Sequence, residues 1–337
     1  MARRVLGLIN YQTPISALLE ASAGGSLPRE HVWGFDRVAS QLSLVDCVVP
    51  RRGQRLSAYS AQRVTGDVVG EAVAAMRWRP GSVVYAMSHT LVRGLAALRR
   101  RRAIPGTVVA VVHPHPTLRD GFDKSVLGLD VAITISARVH DELVAAGRSP
   151  NSTMLLPWGP DVGFAHYTST GDNGLVLSTG KTHRDLATLA AGAEEAGVRV
   201  RHLGVVPPGT DTRSIEVVPA WPNLRWLEDL QSCAVVAIPL LSAAGTVGLT
   251  ELNAALAAGK PVVMTKNPYI DVDVEAIGCG RTVPAGDVDG WCGALRDLLL
   301  ADGQQRIEMG SRGRAFAEEQ WNADAFGEGV AAILAAA

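Results

Sequence analysis

Short β-branched runs alternate with longer Ala-, Leu- and Arg-rich segments along most of the chain. This alternation is typical of parallel strands joined by crossover helices, so the pattern predicts an α/β protein with one open sheet in the first half. Strands are predicted there at residues 4–10, 44–50, 82–87, 107–113, 130–136 and 153–159, and helices at 61–78, 90–103 and 137–147.

The alternation of strand and helix patterns stops between Gly159 and Asn173. This stretch contains Pro, Gly, Thr and Asp and has neither a helical nor an alternating period. We expect a linker there. A second series of strands is predicted at 174–180, 198–204, 214–219, 234–240, 260–265 and 280–285, and helix from about Asp287 to the end. The fold class is therefore α/β, with two Rossmann-like domains at 1–160 and 174–320 that face a central cleft. A C-terminal helix at 321–337 is expected to cross back to the first domain, and ligands to bind at the carboxyl ends of the strands.

Composition narrows the function classes. With 337 residues, 47% of them apolar, the chain has enough material for two cores. Its formal net charge of -1 gives no overall attraction to nucleic acid or membrane. The four cysteines are far apart without a CxxC pair, which indicates neither a zinc site nor a disulfide framework. The apolar run after the first arginines is too short for a signal peptide or a membrane span, so we expect a cytoplasmic protein.

A basic turn follows the predicted strand that ends at Gly180. Lys181, Thr182, His183 and Arg184 come before an Ala/Leu helix. Two cations and free backbone amides at a helix start attract anions, and a diphosphate suits such a site. The alternative is that Lys181 and Arg184 are solvated surface charges.

A second candidate anion site lies in the stretch "LSAAGTVGLTEL", which leads from a strand into a helix. The amides of Gly245, Thr246 and Val247 are expected to lie free, because side chains larger than hydrogen at Gly245 would obstruct a phosphate. The carboxylate of Glu251 would then accept a hydrogen bond from a sugar hydroxyl group, such as a hydroxyl of a ribose. A surface helix residue is the alternative for Glu251.

Three blocks of the second half resemble GT-B glycosyltransferases, in particular the retaining glycosyltransferase family 4. They are "LSTGKTHRDLATLAAGAEEAG", "AIPLLSAAGTVGLTELNAALAAGKPVVMT" and the closing block that begins "GRTVPAGDVDGW". The resemblance covers about half of the chain, from Gly174 to the end. It implies a donor domain at 174–320, an acceptor domain at 1–160 and transfer of a hexose from a nucleotide-diphosphate sugar with retention.

The resemblance also implies roles for individual residues. Lys181 and Arg184 stand where the family has the basic pair that binds the donor diphosphate and stabilises the leaving group. The resemblance therefore implies a reaction that needs no metal and no cofactor other than the nucleotide sugar, which is a co-substrate. Fixed cations do stabilise the charge that develops on a departing diphosphate. Glu251 stands near the family's ribose-binding carboxylate. Gly180, Thr182, Ser242, Gly245, Thr246 and Val247 complete the expected donor site.

Two departures from the family pattern concern the sugar. Residue 243 is alanine where the family has a first glutamate, so that carboxylate is missing or replaced by a neighbour such as Ser242. In addition, Glu251 lies eight residues before Gly259, where the family usually spaces five. The identity of the sugar is left open by these differences.

The first half resembles the family only in outline. His113 occupies the place where many members keep a histidine that contacts the donor sugar, and His89 is expected to touch the acceptor. For both residues, a structural histidine bonded to loop backbone is the alternative. The family's amino-terminal Gly-Gly loop is not evident after the first strand, where "NYQTPIS" follows instead and Gly24-Gly25 comes late.

Other polar clusters have simpler explanations. Asp271 and Asp273, like Asp287 and Asp289, resemble the DxD metal motif of the other large glycosyltransferase class. Each pair precedes a predicted helix, so we expect these residues to cap helices, with a metal site as the alternative. The arginines at 99–102 are expected to end a helix in solvent, with contact to an anionic lipid or a polyanionic acceptor as the alternative.

Several functions remain open at this point. The expected partners are a nucleotide sugar and an acceptor small molecule, lipid or glycan; nucleic acid is not expected and a peripheral membrane contact stays open. The alternatives to a transferase are a sugar phosphorylase, a nucleotide-sugar epimerase and a non-catalytic nucleotide-sugar-binding homologue. The sequence does not identify the nucleotide base, the sugar, the acceptor or the oligomeric state.

Overall fold

A computed structural model describes residues 2–10, 13–62, 66–113, 117–118, 121–164, 172–206, 209–211, 213–218, 223–243 and 245–337. The chain forms two compact units. The first comprises Met1–Trp158 and Ala323–Ala337, and the second comprises Gly159–Asn322. Within the described residues, no helix has the length and apolarity that crossing a membrane requires.

The first unit is built on a six-stranded parallel sheet with the order β2-β1-β3-β4-β7-β8. The strands are β1 (Arg4–Leu8), β2 (Ser43–Asp46), β3 (Val83–Ala86), β4 (Thr107–Val111), β7 (Val131–Thr134) and β8 (Thr153–Leu155), with a short antiparallel pair, β5 (Thr117–Leu118) and β6 (Gly121–Phe122). The helices are α1 (Ile15–Ala23), α2 (Phe35–Gln41), α3 (Gln54–Ala61), α4 (Val68–Arg77), α5 (Arg93–Arg100) and α6 (Ala137–Ala145).

The second unit repeats this architecture with the order β11-β10-β9-β12-β13-β14, again all parallel. Its strands are β9 (Val176–Gly180), β10 (Val200–Gly204), β11 (Ile215–Val218), β12 (Val235–Ile238), β13 (Val262–Thr265) and β14 (Gly280–Val283). Its helices are α7 (Leu186–Ala196), α8 (Asn223–Ser232), α9 (Leu249–Ala257), α10 (Val288–Leu300) and α11 (Gly303–Gln320).

The central strands are buried and mostly apolar because both faces of each sheet are covered. Every residue of β3, β9, β12 and β13 is buried. Parallel sheets with helices on both faces require such continuous apolar runs. In the second unit, α7 and α10 pack together over the sheet, and Trp291 lies in their shared core at 1% exposure.

The last helix, α12 (Ala323–Ala336), packs in the first unit. Asp324 at its start accepts hydrogen bonds from Arg29, at 2.5 Å, and from Arg37. Gly34 and Gly327 allow α2 and α12 to approach closely, since a Cβ on Gly34 would lie 3.2 Å from the Gly327 Cα. This contact draws the end of the chain into the unit that contains its beginning.

All twelve predicted strands are confirmed, with ends that differ by a few residues. The helical C-terminal region is confirmed by α10, α11 and α12. The single helix predicted at 61–78 is wrong: α3 ends at Ala61 and α4 starts at Val68, because Asp67 caps α4 by accepting from the Gly70 amide at 3.0 Å. In the predicted linker, residues 159–164 and 172–173 form no helix or strand, and 165–171 lie outside the described residues.

The predicted capping aspartates behave differently from one another. Asp287 caps α10 by accepting from the Gly290 amide at 2.9 Å, as predicted. Asp273 accepts from the amides of Glu275 and Ala276, at 3.1 and 3.0 Å, in a stretch that forms a turn. The prediction of a helix after Asp273 is therefore wrong, although its side chain has the expected hydrogen bonds.

Candidate functional site

The strand order of the second unit reverses between β9 and β12, because β10 lies on one side of β9 and β12 on the other. Ligands of open parallel sheets bind outside the carboxyl ends of the strands at such a point. The basic turn follows β9, and the Gly245–Val247 segment follows β12. The two candidate anion sites of the sequence therefore start at neighbouring strand ends.

Arg184 is enclosed by the turn that precedes it. Its side chain is 3% exposed, with Nε donating to the Thr179 carbonyl at 2.8 Å and Nη1 to the Thr182 carbonyl at 2.7 Å. Gly180 has φ +105°, and a Cβ at this position would clash with the guanidinium. Glycine is thus required both by the backbone conformation and by the approach of Arg184.

The turn is also fixed to the end of β12. The Leu241 amide donates to the His183 carbonyl at 2.9 Å, and the Asp185 amide donates to the Pro239 carbonyl at 3.2 Å. Asp185 then caps α7 by accepting from the Thr188 amide at 3.1 Å. Lys181 and Arg184 consequently lie in the loop that leads into α7.

Arg184 and Glu251 form an ion pair, in which Arg184 Nη2 donates to Glu251 Oε1. The sequence suggested separate contacts for them, the diphosphate for Arg184 and the ribose for Glu251. Their side chains are 3% and 15% exposed. The structure thus brings the two predicted residues together and links the basic turn to the first turn of α9.

In the segment 245–247, which precedes α9, the backbone carbonyls accept hydrogen bonds from the protein while the backbone amides do not donate to it. Asn267 Nδ2 donates to the carbonyls of Gly245 and Val247, at 2.9 and 3.1 Å, and the Leu249 amide donates to the Thr246 carbonyl at 3.2 Å. Within the described chain, the amides of these three residues, 245–247, donate to no protein atom. Because α9 starts without a side-chain cap, its end remains open to an anion.

Two glycines shape this segment. Gly245 has φ +64° and Gly248 has φ +94°, and a Cβ on Gly248 would lie 2.9 Å from Ile238 Cγ2. The left-handed conformation at both positions explains why the helix is preceded by glycine.

The remaining predicted donor residues are exposed. Lys181, Thr182 and Ser242 lie at the surface, as does Ala243, which stands where the family pattern has a glutamate. In the part of the chain that the structure describes, Lys181 forms no ion pair. Its ammonium group is therefore available to a ligand.

A buried histidine lies beneath the basic turn. His202 Nδ1 is 3.2 Å from Ser178 Oγ, and its Nε2 has no hydrogen-bond partner among the described residues. A Cβ on Gly204 would meet both the Gly180 carbonyl and this Nε2. Burial, reinforced by the charge of Arg184, lowers the pKa of His202 to about 4. The imidazole beside Arg184 is thus neutral at physiological pH.

In the first unit, His113 is held in one orientation. Its ring stacks on Trp33 with the centroids 4.3 Å apart and the planes at 2°, and Trp33 stacks in turn on Trp158 at 4.8 Å. His113 Nε2 lies 2.8 Å from the Met87 carbonyl, so Nε2 carries the proton and Nδ1 is the free acceptor. Burial lowers the pKa of His113 to about 4.

His89 is 2% exposed and packs against a buried ion pair. Its Nε2 lies 3.5 Å from Asp123 Oδ2, which also accepts from Arg93 Nε at 2.7 Å. Burial lowers the pKa of His89 against the opposing effect of Asp123. For Asp123, burial raises the pKa, but the hydrogen bonds from His89, Ser125 and Arg93 outweigh it and hold it well below its usual range. This environment favours the structural alternative for His89.

Two residues at the site were missed by sequence reasoning. Asn267 holds the 245–247 segment, and its position in "KNPY" directly after β13 carries a recognisable Asn-Pro turn signal. His202 lies inside a strand, where an isolated histidine gives no signal of its neighbours.

The fold is similar to that of several solved structures. HepE of Anabaena, solved in complex with UDP-glucose, is 13% identical over 99% of this chain and 100% of its own, with a TM-score of 0.66. Sucrose-phosphate synthase of Thermosynechococcus elongatus is 13% identical over 99% and 98% of the two chains, with a TM-score of 0.65. A glycosyltransferase of Rickettsia africae is 8% identical over 99% and 98%, with a TM-score of 0.63.

This chain has the GT-B fold. The GT-B likeness extends over nearly the whole length of both chains, which confirms the predicted fold class at the level of two Rossmann-like units. No protein-family model and no curated protein matches the sequence.

Proposed function

We propose that this protein transfers a hexose from a nucleotide-diphosphate sugar to an acceptor hydroxyl, with retention and without a metal. The observation that carries the proposal is the pair of connected loops at the ends of β9 and β12. They combine exposed Lys181 with the amides of residues 245–247, which donate to no atom of the described residues. UDP and UDP-glucose in the similar HepE structures support a nucleotide sugar as the donor.

In this proposal Lys181 and the amides of Gly245, Thr246 and Val247 bind the diphosphate. Three of the five N–H groups of Arg184 donate to Thr179, Thr182 and Glu251, which leaves two for a diphosphate oxygen. Gly180 and Thr182 would line the turn, and Ser242 would contact the sugar. Glu251, held by Arg184, directs its second oxygen toward a ribose hydroxyl.

During transfer, the bond between the sugar C1 and the diphosphate oxygen breaks and its electron pair leaves with the nucleoside diphosphate. The acceptor oxygen forms the new bond to C1, and its proton passes to the departing diphosphate. Cations and amides fixed in advance stabilise the negative charge that grows on the leaving group. His113 is proposed to contact the sugar through its neutral ring. We propose that the first unit binds the acceptor. We also propose that the protein is cytoplasmic.

The first experiment is calorimetric titration with UDP, GDP, ADP and dTDP. We expect at least one nucleotide to bind, and Lys181→Ala to weaken that binding about tenfold or more at an unchanged melting temperature. Lys124→Ala, at an exposed lysine of the first unit, is the matched control and should bind as the wild type does. If no nucleotide binds, the proposal fails.

Product analysis then distinguishes the chemistry. A nucleotide sugar incubated with a set of acceptors should yield the free nucleoside diphosphate and a glycoside with the anomeric configuration of the donor, also after treatment with EDTA. A changed nucleotide sugar without an acceptor would indicate an epimerase, and turnover only with inorganic phosphate would indicate a phosphorylase. Tight nucleotide binding without any turnover would indicate a non-catalytic homologue, for which exposed Ala243 gives a reason.

A further inference from the structure

The helix α3 of the first unit has one face that packs on the protein and one that points to solvent. Gln54, Ser57 and Ala58 lie on the inner face, where they line a small pocket at the ends of β1 and β2. Ser60 is 5% exposed, and its Oγ accepts from the Val68 amide at 3.2 Å, which ties the end of α3 to the start of α4. The inner face therefore anchors the helix to the unit.

The outer side of α3 combines arginine with exposed apolar side chains. Arg55, Leu56 and Tyr59 have the spacing of a single helical face, and Leu56 and Tyr59 are 55% and 58% exposed. Arg51 and Arg52, in the turn directly before α3, are exposed as well. We call these five residues the α3 face.

The arginines of the α3 face have no carboxylate partner. Within the described residues, none of Arg51, Arg52 and Arg55 forms an ion pair. The sequence from 47 to 66 contains four arginines and no acidic residue. The nearest acidic residues along the chain are withdrawn from solvent, since Asp46 is half-buried and Asp67 is 3% exposed. The α3 face therefore carries three positive charges and no negative one.

These charges stand at the unfavourable end of a helix. The backbone dipole makes a helix start positive, so acidic residues are favoured there and cations are not. The first turn of α3 has no acidic residue, and Gly53 before it provides no side-chain cap. A local rule that is broken without a compensating contact is expected where a residue serves function. A negatively charged partner outside the chain would supply the missing compensation.

We propose that the α3 face docks this protein on an anionic lipid bilayer. The headgroup phosphates pair with the three arginines, while Leu56 and Tyr59 enter the boundary between headgroups and acyl chains, which suits aliphatic and phenolic side chains. Val68, 40% exposed beside the end of α3, extends the apolar part. A bilayer is favoured over a polyanion such as RNA or heparin, because a polyanion offers Leu56 little apolar surface.

The test is co-sedimentation of the full chain with vesicles of phosphatidylcholine, either alone or with about one third phosphatidylglycerol. We expect binding to the anionic vesicles to be stronger by about tenfold or more. It should weaken when NaCl is raised from about 0.1 M to about 0.5 M, because salt screens charges at a surface. No binding to the anionic vesicles, or equal binding to both kinds, would overturn the proposal.

Charge variants test the arginines. Changing Arg51, Arg52 and Arg55 together to glutamine should lower vesicle binding about a hundredfold, since each arginine near an anionic surface contributes about fivefold. Changing the same three residues to lysine should retain most of the binding, because the charge is kept. All three side chains are exposed, so both triple variants should melt as the wild type does.

The matched control is a second run of exposed arginines, Arg100 to Arg102, at the end of α5. Changing these three residues to glutamine removes the same net charge but leaves the α3 face intact, so vesicle binding should stay at the wild-type level. An equal loss of binding in the two glutamine variants would show that overall charge, and not the α3 face, drives the attraction.

The apolar part of the surface is tested by Leu56→Ser, which should weaken vesicle binding about fivefold or more. Leu300→Ser is its control, since Leu300 is 83% exposed on α10 of the second unit. Wild-type vesicle binding by Leu56→Ser, together with heparin binding that the arginine-to-glutamine variant of the α3 face abolishes, would identify a polyanion site and refute the membrane assignment.

The inference stands apart from the proposed transferase activity. Nucleoside diphosphate binding is assigned to the second unit and should be unchanged in every variant of the α3 face. Vesicle binding by a protein that binds no nucleotide would support the docking surface and refute the transferase. Nucleotide binding without any preference for anionic vesicles would do the reverse.

Discussion

Arg184 Nη2 donates a hydrogen bond to Glu251 Oε1 and thereby connects the turn after β9 with the first turn of α9. The partners lie 67 positions apart in the chain, and both side chains are largely withdrawn from solvent. The same guanidinium closes the 180–184 turn through two carbonyls. One ion pair therefore maintains the relative position of the two loops that form the proposed diphosphate site.

Breaking this pair should destabilise the second unit. Arg184→Met leaves Glu251 without its partner and frees the Thr179 and Thr182 carbonyls, so we expect a loss of about 3 kcal/mol in the free energy of unfolding. Thermal unfolding followed by tryptophan fluorescence should show a clearly lower midpoint for this variant. Nucleotide affinity should fall as well, since the turn loses its support.

The matched control is Arg213→Met, which breaks the exposed ion pair between Arg213 and Asp211. Its melting temperature should equal that of the wild type, because exposed pairs contribute little. Equal melting temperatures for Arg184→Met and wild type would show that the buried pair does not stabilise the unit.

The sheet architecture could be predicted because hydrophobic periodicity is a local property. Each of the twelve strands is an apolar run that the alternation with helices makes visible. The boundary between α3 and α4 was missed although Gly66 and Asp67 carry a local break signal, and Asp67 caps α4. A cap competes with helix propensity over one or two residues only, so periodicity does not reveal it.

The candidate site could be predicted only as a set of residue types at strand ends. Gly180, Lys181 and Gly245 were identified because glycine and basic residues near helix starts have a general physical meaning. The pairing of Arg184 with Glu251 depends on how β9 and β12 lie side by side, which no local pattern encodes. The two functional roles expected for this pair stay predictions.

His113 should act without changing its protonation state. Its pKa of about 4 keeps the imidazole neutral above pH 5.5, so it can donate from Nε2 to Met87 and accept at Nδ1 throughout that range. We expect pH profiles of kcat/KM for wild type and His113→Gln to run parallel between pH 5.5 and 8, with a lower level in the variant. An inflection in the wild type that is absent from His113→Gln would identify a proton-transfer role instead.

Asn267→Asp should weaken nucleotide binding without direct contact to the ligand. The substitution replaces an amide that donates to the Gly245 and Val247 carbonyls by a carboxylate that cannot donate, so two carbonyls lose their partner. Calorimetry should show a dissociation constant for the nucleoside diphosphate raised about tenfold or more.

The comparison variant for Asn267 is Asn267→Ala, which removes the donor without adding a charge. It should have a smaller effect than Asn267→Asp, because the added repulsion between oxygens is absent. Wild-type affinity in both variants would mean that the 245–247 segment is either held by other contacts or not part of the nucleotide site.

His202 should make the second unit sensitive to acid. In the folded protein its pKa is about 4, below the value of 6.5 that an exposed histidine has in the unfolded chain. Between these two values the unfolded state binds a proton that the native state does not, so stability falls as the pH is lowered from 6.5 to 4 and is unaffected above 6.5. The total loss from this one group is about 3 kcal/mol. His202→Gln removes this titrating group. As the pH is lowered from 6.5 to 4, the melting temperature of the wild type should therefore fall more than that of the variant. Parallel melting-temperature curves from pH 7 to pH 4 would show that His202 is protonated as readily in the folded chain as in the unfolded one.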